Sequence, residues 1–324
     1  MKAIVYHHYG PPDVLQYQEL EKPTPADDQV LIQVHASSVN PYDWHFIRGT
    51  PSFVRLFTGI RAPKSSRLGA DVAGVVEAAG RNVTSFKSGD AIFGTAAGSF
   101  AEYGCAPESS LALKPPNLTW EQAASVPIAG ITALQGLRDK GKIQAGQHVL
   151  INGAAGGVGT FAVQIAKSFG ARVTGVCSTR NIQLVRSLGA DDAIDYTHEN
   201  FTQGSQRYDL FFDLVGNNPL WACLRVLKPD GTYIGCGGGG PDRRSIELLG
   251  SMLHAVVLAP FVSQKMPGLL AKVNTADLSF LADLMRTGKI TPVLDRTYPL
   301  SETADAIRYL EQCHARGKVA ITVP

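Results

Sequence analysis

The stretch Ile151-Asn152-Gly153-Ala154-Ala155-Gly156-Gly157-Val158-Gly159 joins an apolar run that starts at His148 to an amphipathic one, Val158 to Phe169. Strand, glycine turn, helix is the order a dinucleotide site needs. A pyrophosphate must be approached closely by backbone N–H groups, and side chains at the turn would block them. The helix start adds unpaired donors and the positive end of its dipole. Ala154, Gly156 and Gly159 hold the three fingerprint positions, with Ala in place of the usual first Gly, and Gly157 and Val158 lie between them.

Which nucleotide is bound is read one strand later. An NAD site wants an acidic side chain at the end of the second strand, where it accepts from the ribose 2′-OH and repels a 2′-phosphate. Here the strand Arg172 to Cys177 is followed by Ser178-Thr179-Arg180, with no Asp or Glu. Ser178 can donate to a phosphate and Arg180 can pair with it by charge and fork geometry, so NADPH is the expected cofactor. Asp213-Leu214-Val215-Gly216 and Cys236-Gly237-Gly238 fall at the carboxyl ends of two further strands. Ligands bind there in such sheets, which adds Val215, Gly216, Cys236, Gly237 and Gly238 as cofactor-binding candidates.

The positioning elements alternate. Val149 to Asn152, Arg172 to Cys177, Ala193 to Tyr196, Tyr208 to Val215 and Thr232 to Cys236 read as strands. Val158 to Phe169, Asn181 to Leu188 and Pro219 to Leu227 read as helices between them. This pitch implies right-handed βαβ units and a parallel sheet. The first third differs, being rich in Gly, Pro and β-branched residues. Strands at Val30 to Ala36, Asp71 to Glu77 and Ala91 to Gly94 give it an antiparallel, barrel-like character. Thr119 and Gln122 fit a capping box. The last sixty or so residues return to mixed structure, with helices near Thr275 to Thr287 and Ser301 to Gln312 and a final strand Lys318 to Val323.

Composition bounds the function. The chain has 324 residues, 44% hydrophobic and 18% charged, and a net charge of +2 with no basic block. That suits a globular enzyme and argues against a nucleic-acid partner. The apolar stretch Met252 to Val262 is too short to span a bilayer, and the start Met1-Lys2-Ala3-Ile4-Val5-Tyr6 reads as a strand rather than a signal segment. No membrane role and a cytoplasmic address are expected. The five cysteines are scattered without any Cys-x-x-Cys and read as buried small residues.

Several motifs occur in one order: Gly69-Ala70-Asp71-Val72-Ala73-Gly74, Ala129-Gly130-Ile131-Thr132-Ala133, the glycine turn, Leu188-Gly189-Ala190-Asp191, Asp213-Leu214-Val215-Gly216 and Gly317-Lys318-Val319. Together they resemble the medium-chain dehydrogenase/reductase superfamily, in its zinc-independent quinone oxidoreductase (zeta-crystallin-like) and enone reductase branch. The resemblance implies an α/β protein of two domains: a GroES-like β-barrel catalytic domain over 1–123 and 263–324, and a Rossmann domain with a doubly wound parallel sheet binding NADP over 124–262. It implies an active site in the cleft between them, a homodimer, and a small quinone or enone as substrate. It also puts Thr132 beside the nicotinamide, Tyr196 near the 2′-phosphate and Lys318 at the pyrophosphate.

Zinc-dependent relatives carry a Cys before the first active-site helix and a His-Glu pair after a glycine. Here those places read Asn40-Pro41-Tyr42-Asp43 and Gly69-Ala70-Asp71, so no metal is expected. Without a Lewis acid, simple alcohol oxidation is disfavoured, whereas conjugate reduction needs only hydride and donors for the developing enolate. Asn40 and Tyr42 are the expected donors. Asp43 and His45 allow two readings, a proton-relay pair or a helix cap with a bystander imidazole. His45 also stands where many enone-reducing relatives have Lys. The rivals are an NADP-linked carbonyl or alcohol dehydrogenase on the same fold and a non-enzymatic, crystallin-like NADPH-binding protein.

Overall fold

The computed structural model describes residues 1–237 and 262–324, so Gly238 and nearly all of the stretch Met252 to Val262 lie outside the described residues. The chain forms two compact units, Met1–Ile131 with Lys272–Pro324, and Thr132–Ala271.

The first unit opens with β1 (Lys2–Val5) and β2 (Gln16–Glu19), an antiparallel pair. Then come β3 (Gln29–Val39), β4 (Asp71–Ala79), β5 (Ala91–Thr95), β6 (Tyr103–Pro107) and β7 (Leu111–Leu113). Between β3 and β4 lie α1 (Pro41–Arg48) and the single turn α2 (Arg55–Thr58). After β7 follow α3 (Trp120–Ala124), started by the Thr119–Gln122 capping box, and α4 (Pro127–Leu134), which begins in the first unit and runs on into the second, where a π-helix over Gln135–Lys140 continues it. No sequence pattern signals the π segment; its wider bore is compatible with Gly136, where an added Cβ would meet the Phe212 ring at 2.6 Å.

The second unit carries β8 (His148–Asn152), β9 (Arg172–Cys177), β10 (Asp192–Asp195), β11 (Tyr208–Asp213) and β12 (Leu227–Gly235). They form one parallel sheet in the order β10-β9-β8-β11-β12. Helices α5 (Gly157–Ser168), α6 (Ile182–Ser187) and α7 (Leu220–Arg225) make the crossovers. The strand order reverses between β8 and β11, the switch point at which a crevice opens beyond the strand ends. Strand β12 begins earlier than expected because α7 stops at Arg225, leaving Leu227 free to pair with Tyr208.

The C-terminal segment, from Lys272 on, belongs to the first unit. β13 (Leu294–Pro299) and β14 (Lys318–Thr322) extend its sheet to β13-β14-β3-β4-β5-β7, with β6 also on β3. The register decides which side chains can meet. Asp71 lies opposite Ser38, and Val319 opposite Val39, so the first residues of β4 and β14 meet the last turn of β3 at one end of the sheet. Ile32, Val34, Trp44, Ile47, Ile307 and Ile321 lie in the core of this unit. Among the described residues no helix is long and apolar enough to cross a membrane.

The glycine turn is fixed by space. Gly153 has φ +82°, a left-handed conformation that suits a residue without Cβ, and a Cβ on Gly159 would lie 2.0 Å from the Gly153 carbonyl oxygen. At Gly156 the nearest atom would be 3.4 Å away. Gly159→Ala should therefore cost about 1–3 kcal/mol of stability in a urea melt, and Gly156→Ala clearly less. Equal effects would contradict this geometry.

Candidate active site

In the second unit the predicted cofactor residues gather at the carboxyl ends of the parallel strands. Ala154 to Gly159 follow β8, and the first amides of α5 have no acceptor within the helix. Ser178, half-buried, and Arg180, exposed, follow β9, and Tyr196, 53% exposed, follows β10. The two turns are joined: Tyr196 N donates to the Cys177 carbonyl at 3.1 Å, and the Thr179 and Thr197 hydroxyls lie 3.0 Å apart. Lys167 sits further along α5 and pairs with Asp191 at 2.8 Å.

Beyond β11, a residue that sequence reasoning passed over organises the turn. Asp213 is fully buried; its Oδ1 accepts from Val215 N at 3.1 Å, Gly216 N at 2.9 Å and Asn152 Nδ2 at 2.9 Å. Tyr233 donates its hydroxyl to Oδ2 at 3.0 Å, and Cys236 N donates to the Asp213 carbonyl at 2.8 Å. Val215 and Gly216 thus turn their amides inward to this carboxylate, and only their other faces can meet a ligand. A carboxylate opening a Gly-containing turn after an apolar strand was the available signal. Thr132, 8% exposed, lies on α4.

The first unit holds a buried polar cluster. Asp71 Oδ2 accepts from Ser38 Oγ at 2.6 Å, Asn40 Nδ2 at 2.8 Å and Lys318 Nζ at 3.3 Å, while Oδ1 accepts from Ile128 N at 2.9 Å. Lys318 also donates to Asn40 Oδ1 at 2.6 Å and to the Val39 carbonyl at 3.4 Å. Asn40 is 3% exposed, and its second amide hydrogen goes to the Ser38 carbonyl at 3.3 Å. Two expectations change here. The Asn40 amide has both hydrogens engaged and offers none to a substrate oxygen. The Lys318 ammonium, 3% exposed with three acceptors inside the first unit, has no N–H left for a pyrophosphate.

Asp43 is also fully buried, on the first turn of α1. Its Oδ2 accepts from Asn40 N at 2.7 Å, a helix-cap contact, and the Gly69 amide is also turned toward this carboxyl. Burial pushes this carboxyl up to about 7; the Asp71 charge adds to the rise, and the Asn40 amide and the Lys318 charge oppose it. Below about pH 7 this carboxyl therefore holds its proton. His45 Nδ1 lies 2.8 Å from the Thr50 carbonyl, and burial lowers the imidazole, keeping it neutral. The Asp43 and His45 side chains are not bonded to each other, and the cap is what the geometry contains. Tyr42 is 40% exposed with its ring against Phe46; burial, then the nearby Asp43, pushes its phenol up to about 12, so its hydroxyl keeps its proton.

The Asp43 carboxyl has a measurable consequence. Its folded value, about 7, lies above the ordinary 3.8, so between these limits the folded state binds more protons than the unfolded state. Stability should then fall as pH rises from about 4 to 7, by at most about 4 kcal/mol. Asp43→Asn should remove that fall. Urea melts of both proteins across this range would check it, and parallel curves would refute it.

Comparison with known proteins agrees with this architecture. Residues 26–116 match the family described as alcohol dehydrogenase GroES-like domain, and residues 188–321 the one described as zinc-binding dehydrogenase. The chain is 36% identical to an NADPH-dependent alkenal/one oxidoreductase of Arabidopsis thaliana, over 99% of this chain and 79% of that protein. It is 33% identical to a quinone oxidoreductase of Sus scrofa, over 98% of this chain and 95% of that one. The solved structure of a quinone oxidoreductase from Coxiella burnetii superposes with a TM-score of 0.86 at 32% identity, over 100% of this chain and 99% of that one. With relatives this similar over almost its whole length, a GroES-like domain and a Rossmann-type parallel sheet, the chain belongs to the medium-chain dehydrogenase/reductase superfamily, among its quinone oxidoreductases and enone reductases.

Proposed function

We propose that this protein is an NADPH-dependent oxidoreductase that reduces quinones or α,β-unsaturated carbonyls by hydride transfer, without a metal ion. The observation that carries the cofactor choice is the end of β9. No acidic residue directly follows β9, where Ser178 and Arg180 stand; the nearest carboxylate, Asp195 on the neighbouring strand, is engaged by the Thr197 amide and hydroxyl, and Tyr196 follows it. The relatives named as NADPH-dependent alkenal/one oxidoreductase and as quinone oxidoreductase support the same reading. A homodimer completes it, on the strength of the family resemblance.

The donor set does not fit zinc. Asn40 is engaged at both ends of its amide, Ala70 has no donor atom, and the Lys318 ammonium occupies Asp71. A cation already buried there opposes a second one. Among the described residues no group of three His, Cys, Asp or Glu could hold a metal ion.

Nicotinamide, when bound, supplies the hydride; the chain's task is to hold the substrate and its developing charge. Conjugate attack leaves that charge on a carbonyl oxygen, where a protonated donor stabilises it. We assign this to the Tyr42 hydroxyl, which stays protonated at any working pH, with Asn40 and Asp43 fixing the helix start that carries it.

Two experiments test this reading. NADPH oxidation followed with a quinone, an enone and an aldehyde, with and without exhaustive chelation, should give chelator-resistant turnover of the first two. Turnover of aldehyde alone, or loss of activity with the chelator, would overturn it. Arg180→Ala should weaken NADPH binding by about 1.5–3 kcal/mol and leave NADH binding nearly unchanged, because it removes one charge-assisted bond to the 2′-phosphate. An equal loss for both nucleotides would show that the phosphate is not read there.

A further inference from the structure

Asp71 is not needed to start β4, whose apolar pattern continues without it, yet it is fully buried and accepts four hydrogen bonds from three separate stretches of chain. Ser38 belongs to β3, Asn40 caps α1, Lys318 opens β14, and Ile128 lies in the first turn of α4. Two of these stretches carry residues with a place in the chemistry. Tyr42 is two positions after Asn40, and Thr132 is one helical turn after Ile128.

The orientation of the Asn40 amide is set by the same pair. Its Nδ2 faces the Asp71 carboxylate and its Oδ1 faces the Lys318 ammonium. Turning the amide over would set oxygen against oxygen and hydrogen against hydrogen, so the two charges admit one orientation only. With the side chain held, the backbone of Asn40 is held too, and its N–H meets Asp43 at 2.7 Å. A buried ion pair is poor at adding stability, since an apolar pair of the same volume often does as well, but it fixes geometry where a greasy contact would slide.

We propose that Asp71, through its pair with Lys318, is a positioning residue for the reaction: it sets the start of α1, and with it the Tyr42 hydroxyl, against Ile128 in the first turn of α4. The assignment rests on the proposed reductase reading for the identity of the reacting groups, and on the hydrogen bonds of the cluster for the positioning itself. Neither Asp71 nor Lys318 touches substrate in this scheme; each acts through Asn40 and the two helix starts.

The test must separate positioning from stability. Removing one partner would strand a buried charge and unfold the protein for a trivial reason. The double variant Asp71→Asn/Lys318→Met removes both charges at nearly constant volume. We expect it to fold, to bind NADPH within about three-fold of wild type, and to lose roughly 10–100-fold in kcat, the size of effect that a small misplacement of a reacting group causes. Hydrogen exchange at the amides of residue 40 and residues 42–44 should rise in the same variant. Wild-type kcat together with wild-type exchange would overturn the inference. Should the double variant fail to fold, Lys318→Arg serves instead: it keeps the ion pair but replaces a point ammonium with a planar fork. Exchange at residue 40 and residues 42–44 should then rise, and a wild-type pattern would count against positioning. Exchange needs no turnover, so it decides the matter even if the wild-type protein reduces neither quinone nor enone, a result that would remove the reductase reading alone.

Discussion

A carboxylate taken wholly out of water must find a donor for its lone pairs, and Asp71 meets that demand by drawing three other pieces of chain to its side chain. Its charge is balanced by an ammonium equally removed from solvent, so neither partner tolerates the loss of the other. The ends of β3, β4 and β14 and the starts of α1 and α4 are thereby held in register with one another. Sheet pairing alone fixes the strands; it does not fix how the helices leave them.

The second unit solves the same problem differently. Asp213 is as deeply buried, yet the hydrogen bonds described for it come from backbone amides, an asparagine and a tyrosine hydroxyl, without a cation among them. Backbone donors suit a carboxylate whose job is to shape a turn, because they leave the local charge negative and the chain tightly curled. An ammonium suits one that must hold side chains of several elements, because three N–H groups on a single nitrogen reach several acceptors at once. Each unit therefore organises its functional edge around one buried aspartate.

Much of this was legible in the sequence, and the division is physical. The parallel sheet, its crossover helices, the capping box at Thr119 and the return of the last strand arise from periodicity, glycine stops and the motif order, all of them local signals. The glycine turn was equally plain, since its constraint lies within a few residues. What escaped was pairing at a distance. Asn40 looks like a free donor, and Lys318 like a cation for phosphate, until the register of β14 on β3 brings them within 2.6 Å across 278 positions. Asp43 was ambiguous for a related reason: a carboxylate at the third position of a helix is a cap or a catalyst according to what buries it. Asp71 stood within a quoted motif, but a charge opening an apolar strand announces only that something must answer it.

The first unit is also interrupted, with Thr132–Ala271 lying between its two segments. A ribosome delivers Asp71 long before Lys318, 247 positions later. Until then the nascent chain holds a carboxylate that has no counter-charge and a strand β3 whose edge awaits β14. Burying that aspartate before its counter-charge exists would cost several kcal/mol, which disfavours closing this end of the sheet while the intervening segment is being made. Completion of the first unit is thus a late, non-local event, and any chain cut short before residue 318 is left with an uncovered sheet edge, the kind of surface on which chaperones act.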